Sequence, residues 1–177
     1  TITPTENTPL YGVCTANTYT ITLNGNGATT AGTASVTATY GSATISPSTI
    51  TLPQRKYTVS GFGLDATRKS DSATVSSTTT LTSTYTLKGW YTAASDGSQV
   101  ISNSTTPAYI ASVSGYTNAS KQWVKAGAAT LYAQWTSATV KLPIITKTGY
   151  TCGWTTSSSG TTIVHASGAT ITPTENT

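Results

Sequence analysis

The sequence is poor in charged residues and lacks most of the side chains that common catalytic and metal sites need. Only 8% of its 177 residues are charged, against roughly a quarter in ordinary globular chains. There is one histidine, His165, and there are five acidic residues. Histidine-based triads and histidine-rich metal sites therefore lack their partners. We expect no catalytic residue, no metal site and no cofactor, and hence a protein that is not an enzyme.

Residues that favour helices are also scarce, since Met is absent and Glu, Leu, Lys and Arg are few. In their place stand 43 Thr, 10 Tyr and 4 Trp, which together with Val and Ile favour strands. This composition excludes a helical bundle, a coiled coil and a doubly wound α/β fold. The aromatic content also argues against a disordered chain. We therefore expect a mainly β protein.

The charge pattern and the lack of long apolar runs exclude two classes of partner. Nine basic residues give a net charge of +4, but they are scattered along the chain. A nucleic-acid-binding surface gathers such residues into a dense stripe, so we expect no nucleic-acid partner. No apolar run approaches the ~18 residues that cross a membrane, and we expect no membrane span in this segment. The sequence also shows no signal peptide, and we expect it to be a window of a longer chain.

The strongest pattern is an octapeptide that occurs twice. Residues 1–8 and residues 170–177 both read TITPTENT. This identity indicates a tandem array whose period, from residue 1 to residue 170, is 169 residues. Repeats of this kind decide the architecture of a chain and are therefore considered before single motifs.

A weaker repeat lies within the period. The LYGVC segment (Leu10–Cys14) resembles Leu131–Trp135 (LYAQW), and each precedes a predicted strand. Leu87–Thr92 (LKGWYT) likewise resembles Thr151–Thr156 (TCGWTT). We accordingly divide the sequence into three parts. Residues 1–14 are the closing strand of the preceding copy's small unit, and residues 15–136 are a larger unit with an insertion near 65–86. Residues 137–177 are a small unit that the next copy completes.

Alternation of apolar and polar residues predicts short strands separated by turns. Pro143 is expected to mark a strand end or a sheet edge. A short helix is suggested only at residues 119–124. The predicted strands are residues 18–23, 34–40, 57–62, 73–75, 81–87, 130–135 and 139–145.

The segments YTITLNGNG, SVTATYGS, LKGWYTAASDGSQVI and TLYAQW, in this order, resemble the Listeria–Bacteroides repeat, the internalin B-repeat-like family. The resemblance covers most of residues 19–135 and, in shortened form, residues 140–177. It implies two β-grasp-like units in a tandem linear array on a secreted or cell-surface bacterial protein. The insertion near 65–86 departs from the compact unit of the family.

The resemblance also assigns roles to particular residues. Cys14 stands in the place of Trp135, and Cys152 stands where the family has an aromatic residue, in positions that face each other in the core. This implies a Cys14–Cys152 disulfide between successive copies, with two buried free thiols as the alternative. The loop of about 31 residues would contribute roughly 3–4 kcal/mol. The expected core aromatics are Tyr11, Tyr19, Trp90, Tyr132, Trp135 and Trp154.

Two functions remain open at this point. The first is a structural repeat of an extracellular or cell-surface fibre or stalk, whose partners are neighbouring copies arranged head to tail and joined by peptide bonds or by docking. The second is an adhesin or carbohydrate-binding module that uses exposed aromatic residues to bind a glycan or a protein of a host or cell surface. Successive strand residues face opposite sides, so Trp90 and Tyr91 cannot both be buried. The candidates for ligand stacking are Tyr91 and Trp123.

Overall fold

A computed structural model describes residues 11–64, 73–157 and 159–177. The predicted closing strand at residues 1–14 therefore lies largely outside the described residues, as does part of the predicted insertion. Every regular element of the described residues is a strand, which confirms a mainly β fold, and these residues contain no helix that could cross a membrane. The strands are β1 Thr18–Asn24, β2 Ser35–Thr39, β3 Ile45–Ser46, β4 Arg55–Val59, β5 Thr74–Val75, β6 Leu81–Tyr91, β7 Gln99–Ile101, β8 Ala129–Thr136, β9 Val140–Lys141, β10 Ile145–Thr146, β11 Gly153–Trp154, β12 His165–Ala166 and β13 Thr170–Ile171.

Seven strands form one mixed sheet in the order β3-β2-β1-β8-β6-β4, with β7 on β6. All of its pairings are antiparallel except that of β1 with β8, which is parallel. The long strand β6 has two sets of neighbours: its first half pairs with β4, and its second half pairs with β8 and β7. A β-bulge between Leu87 and Gly89 interrupts the pairing of β6 with β8.

The alternation in the sequence becomes a buried face of this sheet. In β1 the side chains of Ile21 and Leu23 are buried, and the alternating threonines Thr20 and Thr22 are exposed. Burial of each such side chain contributes about 1.5–3 kcal/mol. The main core contains Ile21, Leu23, Val36, Ala38, Ile45, Ile50, Leu87, Trp90, Val100, Ile101, Tyr109, Val113, Trp123, Leu131 and Ala133.

A second, smaller core lies where the small unit meets β4 and β6. Val59, the last residue of β4, and Phe62 just after it pack with Val140 and Leu142 of the small unit. The aromatic rings of Phe62 and Trp154 are in edge contact, with centroids 5.3 Å apart. Outside the main sheet the strands pair two by two, β9 with β13, β10 with β5, and β11 with β12, and β9, β11 and β13 contribute residues to this core. The small unit is therefore packed against the larger one.

Three predicted strands differ from the structure by more than one residue at an end, and one of them, the predicted strand 81–87, continues to Tyr91 in β6. The predicted strand 57–62 is β4, which begins at Arg55 and ends at Val59, because Gly61 adopts a positive φ of 72° that an extended strand cannot contain. The predicted strand 139–145 is split into β9 and β10. Pro143 lies between them, as expected of a residue that cannot donate to a sheet.

The helix suggested at residues 119–124 is wrong. The Asn118 side-chain oxygen accepts the N–H groups of Ser120 and Gln122, at 3.0 and 2.9 Å. Lys121 has a positive φ of 58°, and Trp123 returns to bridge with Thr117. Short polar side chains that bond to the nearby backbone favour turns over helix, and this competition decided the local structure.

Candidate assembly interface

Two Gly-Trp strands, one in each unit, have the same pairing pattern. Trp90 of β6 pairs with Ile101, and Trp154 of β11 pairs with His165. In both cases the partner lies eleven positions later in the chain, from 90 to 101 and from 154 to 165. His165 is thus an ordinary strand residue. The internal repeat inferred from the sequence corresponds to a shared local pairing.

At both places the residue before the tryptophan must be glycine, because there is no room for a side chain. A Cβ atom added to Gly89 would collide with the carbonyl oxygen of Ile101, and one added to Gly153 would collide with that of His165. Both glycines therefore allow the returning strand to approach closely. The two Gly-Trp strands share a steric requirement as well as a register.

In the larger unit the Gly-Trp strand has a neighbour on each side. Strand β8, which carries the LYAQW segment, lies between β1 and β6. Its Leu131 pairs with Leu23 of β1, and its Ala133 pairs with Trp90 of β6. Leu131 and Ala133 are fully buried, so β8 is the centre of the main sheet.

The small unit has no counterpart of β8 within the described part of the chain. Its strands β9 and β11 correspond to β1 and β6 by the internal repeat. There, β9 pairs with β13 and β11 pairs with β12, and no strand of residues 11–64, 73–157 or 159–177 lies between β9 and β11. Beside β11 no such strand is paired among the described residues, whereas Ile145, the equivalent of Asn24, pairs with Val75 of β5.

A cleft lies beside β11. It consists of two cavities of about 310 and 430 Å³, which share Leu64, Ile145, Gly153, Trp154 and Thr155 in their walls. Cys152 lines the first cavity, and Thr177 lines the second. Trp154 is only half-buried, whereas Trp90 is 1% exposed. The indole N–H of Trp154 donates to the carbonyl of Pro143 at 2.9 Å, which fixes the ring at the cleft.

Exposed apolar side chains are concentrated in the small unit and in the segment before β1. Tyr11 and Val13 of the LYGVC segment are each 85% exposed. In the small unit Ile144 is 48% exposed and Tyr150 is 66% exposed. Ile144 stands thirteen positions after Leu131, just as the buried Leu23 stands thirteen positions after Leu10. A residue that β8 covers in the larger unit is thus uncovered in the small one.

The structure separates the aromatic residues predicted for the core. Trp90 is buried in the main core, Tyr19 and Trp135 pack against it, and Trp154 packs against the smaller core. Tyr132 is half-buried. Tyr11 lies in no core of this chain.

One of the two residues expected to stack on a ligand is placed differently. Trp123 is fully buried between Tyr109 and Tyr116, so no ligand can stack on it. The turn that carries Trp123 folds back onto the main core. Tyr91 is half-buried, on the opposite side of β6 from Trp90, as the strand alternation predicts.

The two cysteines lie in the regions that the repeat connects. Cys14 is exposed, Cys152 is half-buried at the cleft, and the two are not bonded to each other within this chain. Their pairing between copies stays a prediction. Among the described residues no three His, Cys, Asp or Glu side chains are grouped as they would be to hold a metal ion.

The comparisons with known proteins leave the family open. The resemblance to the Listeria–Bacteroides repeat therefore stays an expectation drawn from the quoted segments, while the fold and the open place beside β11 are independent of it. No protein-family model matches the chain, and no curated protein or solved structure shows significant similarity to it.

Proposed function

We propose that this chain is a structural repeat of an extracellular or cell-surface fibre or stalk, without enzymatic activity. In this arrangement the LYGVC segment of a neighbouring copy enters the cleft and completes the small unit. One observation carries the proposal: β6 has β8 on its second side, whereas the corresponding side of β11 is open among the described residues. The exposed apolar residues of both regions support it.

The register of the incoming strand follows from the larger unit. There, Trp90 pairs with Ala133. The internal repeat makes Trp154 the equivalent of Trp90 and Gly12 the equivalent of Ala133. Gly12 of the neighbouring copy is therefore expected opposite Trp154, which places its Tyr11 and Val13 on either side of that pair.

The same register brings the two cysteines together. In the larger unit Trp135 pairs with Leu87, immediately before the β-bulge at Lys88. The equivalents of these three residues are Cys14, Thr151 and Cys152. Cys14 of the incoming strand would then lie opposite Thr151, the residue before Cys152, and the proposed disulfide would join these neighbouring positions. An oxidising, extracellular setting allows such a bond to persist.

The energetics indicate that the strand needs a covalent link to stay in place. Burial of Tyr11 and Val13 contributes about 1.5–3 kcal/mol each. Association of separate molecules costs about 4–15 kcal/mol in lost freedom. Together the two side chains contribute about 3–6 kcal/mol, which reaches only the lower end of this cost. A disulfide, or continuity of the peptide chain in a tandem array, makes the contact lasting.

The geometry of this contact produces a linear assembly. The LYGVC segment and the cleft are different surfaces, so each copy uses one to bind the copy ahead and the other to bind the copy behind. Such head-to-tail contacts do not close on themselves unless the rotation between copies permits a ring. An open fibre is the expected product.

Two complementary cysteine variants test the proposal. Cys14→Ser and Cys152→Ser should each remain monomeric under oxidising conditions, because each lacks one side of the predicted bond. Mixed together they should form a disulfide-linked dimer, and the wild-type protein should form a ladder, both measured by non-reducing mass spectrometry. Peptide mapping should find Cys14 joined to Cys152. A mixture without dimers, or with Cys14 joined to Cys14, would contradict the proposal.

A carbohydrate-binding adhesin is the second candidate function. Tyr150 is 66% exposed, and the ammonium of Lys147 lies 3.9 Å from its ring centroid; Tyr91 is half-buried with Lys88 at 5.8 Å. Exposed rings beside cationic groups can stack on sugars. A glycan array separates the two functions: binding that Tyr91→Ala or Tyr150→Ala abolishes supports the adhesin, and filaments in electron micrographs without glycan binding support the fibre.

A further inference from the structure

Residues 170–177, the second TITPTENT octapeptide, are held along one edge of the molecule by a set of contacts that we call the octapeptide slot. The slot is formed by Val140–Lys141 of β9, by Tyr85 of β6, and by Thr58 and Ser60 at the end of β4. The first two residues of the octapeptide, Thr170 and Ile171, pair antiparallel with Lys141 and Val140. The side chain of Ile171 packs against the smaller core.

The far end of the octapeptide extends the sheet beyond β4. The Asn176 side-chain oxygen accepts the backbone N–H of Thr58 at 2.8 Å and its hydroxyl at 3.2 Å. The N–H of Thr177 donates to the carbonyl of Thr58 at 2.9 Å, and the carbonyl of Thr177 accepts the N–H of Ser60 at 2.8 Å. The octapeptide thus behaves as a short added strand, a mode of recognition that peptides use at sheet edges.

The middle of the octapeptide is fixed by a buried contact. The Tyr85 hydroxyl donates to the carbonyl of Pro173 at 2.7 Å, and Pro173 itself is buried. A proline at this place brings no N–H that would need a partner. Between them, Ile171, Pro173, Asn176 and Thr177 account for the packing, the buried bond and the strand-like end.

We propose that the octapeptide slot is a recognition site for the TITPTENT sequence and that it takes the first eight residues of a second copy in place of residues 170–177. The anchoring residues all recur there, as Ile2, Pro4, Asn7 and Thr8. The occupant is thus a second copy of this chain. This inference depends on the proposed function in one respect only, namely that the LYGVC segment after the octapeptide enters the cleft.

The position of the slot explains how the next segment would reach the cleft. Thr177, the last residue of the seated octapeptide, lines the cavity beside Trp154. In a second copy the residue that corresponds to Thr177 is Thr8, and the LYGVC segment begins two positions later. An octapeptide in the slot therefore delivers the LYGVC segment to the cleft in a defined direction. The slot sets the register, and the cleft receives the strand.

The two octapeptides make identical contacts in the slot, because their sequences are identical, and they differ only in how they are tethered. The resident octapeptide has the advantage of its tether, which gives an effective concentration of about millimolar for a short flexible link. Weakening the resident octapeptide alone should therefore release the slot to other copies. Exchange of an identical element is a common route to assembly.

Three full-length variants test this directly. The first, Ile171→Ser with Asn176→Ala, weakens the resident octapeptide and keeps residues 1–8 intact. The second, Ile2→Ser with Asn7→Ala, carries the same changes in the other octapeptide. The third carries all four changes. All three are prepared with Cys14→Ser, which removes the Cys14–Cys152 disulfide, and are measured under reducing conditions by light scattering over a range of concentrations.

We expect the first variant to associate, with at least a doubling of its weight-average mass, and the second and third to stay monomeric like the Cys14→Ser protein. A free TITPTENT peptide should dissociate the first variant, and a scrambled peptide should not. A first variant that stays monomeric with its main core intact by NMR overturns the proposal, as does equal association of the first and third variants. If the paired changes unfold the small unit, Asn176→Ala alone and its counterpart Asn7→Ala are interpreted by the same criteria.

The same set of proteins separates this inference from the proposed function. Tyr11→Ser added to the first variant leaves the octapeptide intact but weakens the LYGVC segment. If this change does not weaken the association, the octapeptide slot is supported as a recognition site, and the proposal that the LYGVC segment completes the small unit is refuted. If the first variant is monomeric but the complementary cysteine variants crosslink, recognition of the octapeptide by the slot is refuted, and completion of the small unit by the LYGVC segment is supported.

Discussion

Replacement of Tyr85 by Phe should loosen the hold of the larger unit on residues 170–177. The Tyr85 side chain lies under the guanidinium of Arg55, 4.8 Å from the ring centroid, and in edge contact with Tyr57 at 5.7 Å. These ring contacts survive the change. Only the hydroxyl that donates to the buried carbonyl of Pro173 is lost.

The expected cost follows from the burial of this contact. Tyr85 is 8% exposed and Pro173 is buried, so water cannot replace the lost donor. A buried acceptor left without a partner costs about 1–3 kcal/mol. For a chain of this size each kcal/mol lowers the melting temperature by about 2–4 °C. Denaturant unfolding gives the free energy, and hydrogen exchange at Ile171 and Thr177 reports the local release of the octapeptide.

Tyr57→Phe is the matched control. The Tyr57 hydroxyl accepts a 3.3 Å hydrogen bond from Arg55 Nε and is only partly buried, so its loss should cost within about 0.5 kcal/mol. If Tyr85→Phe changed the free energy of unfolding and the exchange at Ile171 no more than this control, the contact with Pro173 would not be what holds the octapeptide.

Three further predictions concern the cores and the cleft. Burial raises the pKa of the Tyr109 phenol above its ordinary value near 10. As pH rises, Tyr109 therefore loses its proton in the unfolded chain before it does so in the folded one. The free energy of unfolding should fall above about pH 10, by up to ~1.4 kcal/mol per pH unit. Tyr109→Phe should flatten this alkaline loss, seen in urea unfolding against pH, and should not destabilise at neutral pH, because the hydroxyl has no partner among the described residues. Gly89→Ala should lower the free energy of unfolding by about 2–5 kcal/mol, since φ is +138° and the added methyl has no room. Gly115→Ala, with φ of +74° and open space around the methyl, should lower it by about 1–2 kcal/mol. Thermal unfolding of the two variants compares these costs. Ile144→Ala should be nearly neutral in the monomer but should destabilise the disulfide-linked array, as measured by melting before and after oxidation; equal effects in both would show that the incoming strand does not cover Ile144.

The fold class and most strand positions could be predicted because they depend on local alternation. Ile21 and Leu23 are buried by the same period of two that the sequence displays. The helix suggested at residues 119–124 failed because the Asn118 side chain competes for the backbone, which no apolar periodicity reveals. Burial of Trp123 depends on the returning turn and its contacts with Tyr109, and tertiary packing of this kind has no local signature.

The octapeptide slot could not be predicted from the residues that form it. Thr58 and Asn176 are 118 positions apart, and Tyr85 and Pro173 are 88 apart, so nothing in either segment points to the other. The one signal in the sequence was the repetition of TITPTENT. It indicated which segment is recognised but not where that segment binds. The internal repeat predicted two units, but the packing of Val140 and Leu142 on Val59 and Phe62 came only from the structure.

The central place of β8 has a consequence for how the polypeptide is made. Its pairing partners β1 and β6 end at Asn24 and Tyr91, whereas β8 begins at Ala129. On a ribosome that adds about 5–20 residues per second, both partners emerge seconds before the strand that joins them. During that interval two unpaired strand edges face the crowded cell, and edges of this kind invite pairing with other nascent chains. The scarcity of apolar residues on the outer faces of β1 and β6, where threonine predominates, limits that hazard while synthesis continues.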